Sequence, residues 1–173
     1  MIVIISSTNR SESVSSSLAK YIQSELSTLT QEEIKIINLQ DLPSDIISSA
    51  LYGNKNPQFD ELKNIIQSAD KLYFVIPEYN GSFPGVLKVF IDGLEFPGGV
   101  QGKKAAMIGL SAGVLGGALG LSHFTDVLNY LNCSVYATKP RLTGITKIFD
   151  GSQISDTFVR NLVTEQLKGF IAF

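Results

Sequence analysis

The stretch AAMIGLSAGVLGGALGLSHFT, residues 105–125, contains no charged residue and is compatible with two very different folds. Its length matches the roughly 20 residues that a transmembrane helix needs. Five glycines interrupt it, however, and glycine weakens a helix. We therefore predict a buried strand at Ala105–Leu110, a glycine-rich turn, and a helix that starts near Gly117. A membrane-spanning helix is the alternative.

The composition indicates one globular domain. The chain has 173 residues, of which 44% are hydrophobic and 17% charged, so we exclude a disordered protein and predict a single domain over residues 1–173. A net charge of −2 argues against a nucleic-acid partner. The single cysteine, Cys133, cannot form an internal disulfide, and no signal-peptide pattern surrounds Ile2–Ile5. We expect a cytoplasmic protein in which this thiol is buried and structural.

Strand-like and helix-like patterns alternate along the chain. Five runs rich in β-branched or aromatic residues predict strands: Ile2–Ile5, Ile34–Leu39, Leu72–Ile76, Ala105–Leu110 and Cys133–Thr138. The segments between and after them carry apolar residues at helical spacing, as at Leu18, Ile22 and Leu26. This alternation predicts an α/β fold with a doubly wound parallel sheet, in which ligands bind beyond the carboxyl ends of the strands.

The loop after the first predicted strand is rich in hydroxyl groups. Residues 6–17 contain seven serines and Arg10, directly before the first amphipathic helix. A serine-rich capping loop is one interpretation. The other is a phosphate site, since hydroxyls, helix N-terminal amides and a guanidinium group bind anions. No glycine precedes Gly53, and Gly102-Lys103 lacks the Walker context, so both common nucleotide-binding patterns are excluded. A terminal monophosphate is the ligand that remains.

The loop after the third predicted strand carries the most specific pattern: PEYNGSFPGVLKVFIDG, residues 77–93. Asn80-Gly81 predicts a tight turn, and Pro84 suits the start of a helix. A rigid turn alone does not explain Glu78 and Tyr79. We expect them at a ligand edge, where an aromatic side chain can border a flat ring.

These residues resemble a known family. Residues 77–93 are similar to the motif P-E-Y-N-G-S-x-P-G-x-L-K-x-x-I-D of the NADPH-dependent FMN reductase family, which includes quinone, azo-dye and chromate reductases. The opening motif of that family resembles STNRSESVS, residues 7–15, and its third motif resembles SAGVLGG, residues 111–117. The resemblance implies a flavodoxin-like, three-layer α/β/α sandwich with a five-stranded parallel sheet in the order 2-1-3-4-5.

The resemblance also implies how the chain holds FMN. The phosphate would be bound by the first loop, through Thr8, Arg10, Ser13 and Ser15. The isoalloxazine ring would be bordered, largely by backbone groups, by the second motif: Pro77, Glu78, Tyr79, Asn80 and Gly81. Its pyrimidine edge would lie against the third motif, at Ser111, Gly113 and Gly116, whose glycines we expect to let the backbone approach the ring.

Three positions depart from the pattern of the family. Ser7 stands where the family usually has glycine, Ser15 where it often has asparagine, and Ala118 where many relatives carry an arginine. We expect these differences to alter the phosphate loop and the contacts near the ring.

The implied activity is that of an FMN-dependent NAD(P)H oxidoreductase with a ping-pong mechanism. A hydride passes from the nicotinamide through N5 of FMN to a small acceptor such as free flavin, a quinone, an azo compound or a metal oxyanion. Since the flavin carries the redox chemistry, we predict no catalytic side chain and no metal site. A flavodoxin-like electron carrier without efficient NAD(P)H turnover, and a family member that binds no flavin, are the alternatives.

The resemblance further implies a homodimer or a dimer of dimers, with the flavin sites near the subunit interface. Phe83, Phe90 and Phe96 are therefore candidates for the interface or the ring edge, with core packing as the alternative.

The remaining polar candidates carry weaker signals. We expect His123 to have a surface or structural role rather than to donate a proton, and Lys103-Lys104 to be a solvated pair at the opposite edge of the sheet. Lys139 and Arg141 follow the fifth predicted strand. One interpretation is that they bind the 2′-phosphate of NADPH, and the other is that they are ordinary surface charges.

Overall fold

A computed structural model describes residues 1–51 and 53–173, and its centre is a parallel sheet in the order β2-β1-β3-β4-β5. The strands are β1 (Ile2–Ser6), β2 (Ile34–Asn38), β3 (Lys71–Pro77), β4 (Lys104–Leu110), β5 (Ser134–Val135) and β6 (Arg141–Leu142). The helices are α1 (Val14–Leu29), α2 (Ile46–Ser49), α3 (Pro57–Ser68), α4 (Gly85–Gly93), α5 (Ala118–Tyr130), α6 (Ile145–Ile148) and α7 (Thr157–Ala172). The flavodoxin-like sheet predicted from the sequence is confirmed.

Helices cover both faces of the sheet, because its central strands are apolar on both sides. Phe74 of β3 belongs to the apolar cluster beneath α3, α4 and α5. Its neighbour Tyr73 points the other way, into the cluster beneath α1 and α7. Side chains alternate between the two faces of a strand, so an uninterrupted apolar run fills two cores at once. The result is the predicted three-layer sandwich.

The uncharged stretch 105–125 divides as expected into most of β4, a loop, and the first part of α5. Gly117 is the N-cap residue of α5, in a left-handed conformation with φ of 78°. Within the described residues, no helix is both long and apolar enough to cross a membrane.

The prediction of one continuous fifth strand at Cys133–Thr138 is wrong. Two short strands, β5 and β6, occupy the position next to β4 in the sheet, and each pairs with β4. Between them the strand ladder is interrupted, and the side chain of Gln166 in α7 takes its place. Its Nε2 donates to the carbonyls of Met107 and Thr138, both at 2.9 Å. A side chain from the last helix therefore satisfies carbonyls that a regular ladder would pair.

Lys103 and Lys104 lie at the opposite edge of the sheet as predicted, and Lys104 is exposed, but the ammonium groups of both also have backbone partners. Nζ of Lys103 donates to the carbonyls of Gln67 and Ala69, at 3.0 and 2.6 Å. Nζ of Lys104 donates to the carbonyl of Phe173. The final carbonyls of a helix lack partners within it, and a positive charge suits that end of its dipole. Both lysines therefore fasten the ends of α3 and α7 to the amino edge of the sheet.

Candidate active site

A cleft of about 320 Å³ opens at the carboxyl edge of the sheet, where the loops after β1, β3 and β4 meet α6. Eight of the residues predicted for the cofactor line it: Thr8, Arg10, Ser13, Ser15, Pro77, Glu78, Tyr79 and Ser111. The other four, Asn80, Gly81, Gly113 and Gly116, belong to the two turns beside the cleft and do not line it. Residues from three separate motifs thus share one cavity.

The N-terminus of α1 forms one wall of the cleft. Ser13 caps the helix, and its Oγ accepts a hydrogen bond from the amide of Ser16 at 3.1 Å. The preceding amides of Val14 and Ser15 have no partner within the helix, and both residues line the cleft. The hydroxyl hydrogen of Ser13 also stays free to donate. This wall therefore presents donors and a positive helix end to the cavity.

Arg10 and Thr8 extend the donor set. The guanidinium group of Arg10 is exposed and pairs with no carboxylate among the described residues. The backbone amide of Arg10 donates to Oγ1 of Thr8 at 3.2 Å, which shapes the loop. An arginine with free donors beside a helix N-terminus is chemically suited to a phosphate group.

Ser7 and Ser15, two of the departures from the family pattern, are both buried. Ser7 is fully buried, and its Oγ donates to the carbonyl of Ile5 at 3.3 Å. Ser15 is 2% exposed in the first turn of α1. Ser7 is not among the described residues with positive φ, so its backbone does not require glycine.

The loop after β3 is a tight turn closed by two backbone hydrogen bonds between Tyr79 and Ser82, at 2.9 and 3.0 Å. Asn80 and Gly81 have φ of 51° and 73°, as a two-residue type I′ hairpin turn requires. The Asn-Gly turn predicted from the sequence is present.

The side chain of Glu78 joins two loops of the cleft. Its Oε2 accepts a hydrogen bond from the amide of Gly117 at 2.9 Å, at the N-terminus of α5. A carboxylate is favourable there, because that helix end is positive. Glu78 was expected to act through its backbone. Its side chain instead holds the loop after β4 against the loop after β3.

The loop after β4 is shaped by Ser111. Its Oγ donates to the carbonyl of Gly113 at 3.1 Å and accepts from the amide of Gly116 at 3.0 Å. A Cβ on Gly116 would lie 2.9 Å from Cβ of Arg141, and the φ of this glycine is 59°. Close approach to a flavin ring was our expected reason for glycine here. Contact with β6 is sufficient reason at Gly116.

Seven lining residues were not predicted: Ser11, Glu12, Val14, Leu110, Ala112, Ile145 and Thr146. Glu12 lies within the serine-rich loop, yet no motif marked it. Its φ of 48° places it in the left-handed region, which is unusual for a residue other than glycine. Ile145 and Thr146 come from α6, whose four residues are too few to show a helical period.

The polar candidates with weaker sequence signals lie in different parts of the structure. Nδ1 of His123 lies 2.9 Å from Oγ of Ser82, so this exposed histidine has a hydrogen-bond partner on the turn after β3. Arg141 starts β6 beside Gly116, whereas Nζ of Lys139 donates to the carbonyl of Ala137 at 3.3 Å.

Of the three phenylalanines, only Phe96 is exposed. Phe90 is fully buried in the core against Phe59, and Phe83 packs on Phe124. Phe96, by contrast, is 77% exposed. Core packing is therefore the role of Phe90.

The family model for NADPH-dependent FMN reductases matches residues 1–140. The chain belongs to this family. The description of this family names FMN and NADPH, the cofactor and one of the donors expected from the sequence. The match includes all three loops of the cleft and ends just before β6.

Two curated proteins resemble this FMN reductase family member over part of their length. A 2-hydroxy-1,4-benzoquinone reductase from Burkholderia sp is 45% identical over 73 residues, which are 40% of each chain. An NAD(P)H-dependent FMN reductase from Pseudomonas aeruginosa is 34% identical over 117 residues, which are 65% of this chain and 63% of that protein. The matches thus span less than two thirds of either relative.

Solved structures of similar fold cover nearly the whole chain. The apo form of an NADH:FMN oxidoreductase superposes with a TM-score of 0.80 at 21% identity, covering 98% of this chain and 87% of the other. The flavoenzyme NAD(P)H:(acceptor) oxidoreductase FerB from Paracoccus denitrificans gives 0.75 at 23% identity, covering 99% and 94%. Both comparisons establish the fold.

Proposed function

We propose that this protein is an FMN-dependent NAD(P)H oxidoreductase that reduces a small acceptor. The observation that carries the proposal is the cleft itself, where the phosphate-binding chemistry at α1 meets the turns after β3 and β4. A quinone is the first acceptor to test, because the Burkholderia relative is named a 2-hydroxy-1,4-benzoquinone reductase. Free flavin, azo compounds and metal oxyanions are the other acceptors.

The residues of the cleft fit the phosphate end of FMN. Arg10, the hydroxyl of Ser13 and the amides of Val14 and Ser15 supply donors without an acceptor among the described residues. Thr8 and the hydroxyl of Ser15 complete the wall. Such a donor set at a helix N-terminus suits a dianion.

The ring of FMN would lie toward the turns after β3 and β4. Pro77, Glu78 and Tyr79 line the cleft there, and Asn80-Gly81 forms the turn beside them. Ser111 lines the opposite side, with Gly113 and Gly116 next to it. In this arrangement backbone groups border the ring, while the side chains of Glu78 and Tyr79 hold the loops in place.

Bound FMN supplies hydride transfer between the nicotinamide and the acceptor. The side chains of this protein bind and orient it, and we assign none of them a catalytic role. An open ring face would admit the nicotinamide and the acceptor in turn, which is the basis of a ping-pong mechanism. Initial-rate plots at several acceptor concentrations should give parallel lines, and intersecting lines would contradict this order.

One purification tests the proposed function. The protein should take up FMN and turn yellow, and anaerobic NADPH or NADH should bleach its visible absorbance. A yellow protein that neither nucleotide bleaches would identify an electron carrier instead. A colourless protein that does not bind added FMN would identify a family member without flavin.

We also propose that the protein is a homodimer or a dimer of dimers. A groove of about 490 Å³ runs between the C-terminal ends of α4 and α5. Phe96 and Tyr130 line it, with exposed fractions of 77% and 81%. Apolar groups this exposed favour burial against another surface. Light scattering should show at least twice the monomer mass, and Phe96→Asp should reduce it; monomers of the unaltered protein would contradict the proposal.

We further propose that residues 1–173 act as one domain and that it works in the cytoplasm. The two apolar clusters on either side of a single sheet support the first point. The one cysteine, Cys133, is free and buried, which suits a reducing compartment. Fractionation of cells that express the protein tests its location.

A further inference from the structure

The cleft that presents phosphate-binding donors is also lined by two acidic side chains. Its ionisable side chains that are charged at neutral pH are Arg10, Glu12 and Glu78, one positive and two negative. The only other titratable side chain in the lining is the phenol of Tyr79. A dianionic phosphate would therefore enter a cavity whose side chains sum to about −1.

The two carboxylates differ in what they do. Glu78 is bound to the amide of Gly117, so its charge is balanced by the positive end of α5. Glu12 immediately precedes Ser13, the N-cap residue of α1. No ion pair joins Glu12 to Arg10 or to any other described cation. Glu12 is exposed and lines the cleft, so it brings a negative charge to the side of the cavity where the end of α1 would attract a phosphate.

The backbone holds Glu12 in that position. Its φ of 48° is unfavourable for a residue with a Cβ, and such conformations concentrate at functional sites. A glycine or asparagine would adopt this conformation at lower cost. The chain carries a charged residue there instead, at the rim of the cavity.

We propose that Glu12 is an affinity-determining residue that competes with the FMN phosphate for the positive end of α1. This inference rests on the proposed function. Repulsion between its carboxylate and the phosphate speeds the departure of FMN, so that FMN exchanges with solution. FMN is then a dissociable ligand rather than a permanently held group.

The experiment compares FMN and riboflavin binding, followed by flavin fluorescence. Glu12→Gln removes the charge and keeps the shape of the side chain. Its Kd for FMN should fall about tenfold, equivalent to about 1.4 kcal/mol. Its Kd for riboflavin, which lacks the phosphate, should stay the same. The variant should also retain FMN on a desalting column that strips the unaltered protein.

Two matched variants serve as controls. Glu12→Asp keeps the charge, so its Kd for FMN should lie within about threefold of that of the unaltered protein. On the free-energy scale, a threefold change is less than half of a tenfold change. Glu61→Gln removes an exposed carboxylate from α3, remote from the cleft, and should change neither Kd. Thermal unfolding of each variant verifies that it is folded.

The remaining outcomes overturn the proposal in distinguishable ways. Equal tightening of FMN and riboflavin would show that Glu12 acts on the loop rather than on the phosphate. An unchanged or weaker FMN affinity in Glu12→Gln would show that the carboxylate does not compete. Both results leave the proposed function intact. If neither the unaltered protein nor Glu12→Gln binds FMN, the role of Glu12 and the proposed function are both overturned.

Discussion

The hydroxyl of Tyr79 lies 2.5 Å from Oγ1 of Thr8, a hydrogen bond between residues 71 positions apart in the chain. It joins the loop after β1 to the loop after β3. The first of these loops would hold the phosphate of FMN, and the second would border its ring. This contact therefore joins the two parts of the proposed FMN site beyond the end of the paired strands β1 and β3.

Removal of this hydroxyl should weaken FMN binding. Tyr79→Phe keeps the aromatic ring but loses the hydrogen bond, so the loops become less well ordered. We expect a loss of about 1 kcal/mol in FMN binding, roughly a fivefold rise in Kd. Flavin titration measures it. Tyr130→Phe, an exposed tyrosine on α5, is the matched control and should have no effect. Equal affinities of both variants would contradict a role for the bond.

The guanidinium group of Arg10 should contribute to binding through the phosphate. Arg10→Ala should weaken FMN binding by about 1.5–3 kcal/mol, the usual contribution of a hydrogen bond to a charged group. Riboflavin binding should be unaffected, because riboflavin has no phosphate. An unchanged Kd for FMN would refute the assignment of Arg10.

Local patterns predicted those parts of the fold that depend on neighbours in sequence. The apolar runs of β1, β3 and β4 are long and continuous, and burial on both faces explains them. The Asn80-Gly81 turn follows from the conformational preferences of two adjacent residues.

Features that depend on distant partners were missed. The fifth strand divides around the amide of Gln166, which α7 brings to β4 from 59 positions away. The carboxylate of Glu78 finds the amide of Gly117 only after the sheet has formed. The role of Glu12 depends on its conformation and on the cavity beside it, and neither has a sequence motif.

Gln166 should be important for stability. It is 1% exposed, donates to Met107 and Thr138, and accepts from the hydroxyl of Tyr73 at 2.7 Å. Gln166→Leu leaves these buried groups without partners, which should cost about 3 kcal/mol in the free energy of unfolding. Urea denaturation measures it.

A control separates this network from a general effect of the substitution. Gln31→Leu replaces an exposed glutamine and should change stability by less than about 0.5 kcal/mol. Tyr73→Phe removes one bond of the network and should cost about 1 kcal/mol. Additive losses in the double variant Tyr73→Phe/Gln166→Leu would show that the two side chains are not coupled.

Gly116 should not tolerate a side chain. In Gly116→Ala the new Cβ would lie 2.9 Å from Cβ of Arg141, at a φ of 59°. Steric overlap and the left-handed conformation should together cost about 2 kcal/mol of stability. Gly85→Ala is the matched control, since nothing lies within 4 Å of a Cβ there. If both variants unfold at the same urea concentration, contact with β6 is not the reason for glycine at position 116.

Cys133 should make stability depend on pH in the alkaline range. Burial raises the pKa of its thiol from 9.0 to about 12, with the nearby ammonium group of Lys103 acting in the opposite direction. Between these two values the unfolded chain loses the proton while the folded chain keeps it. The thiol therefore favours folding less as the pH rises from about 9 to 12, by about 1.4 kcal/mol per unit.

Other groups titrate in the same range, so the thiol must be isolated by difference. The free energy of unfolding of the unaltered protein, minus that of Cys133→Ala, should fall steadily between pH 9 and 12 and stay level below pH 8. At pH 8 the native thiol should resist iodoacetamide, because the thiolate is the reacting species and Cys133 is only 3% exposed. Rapid alkylation of the folded protein, or a difference that stays constant with pH, would mean that the thiol ionises as freely in the folded chain as in the unfolded one.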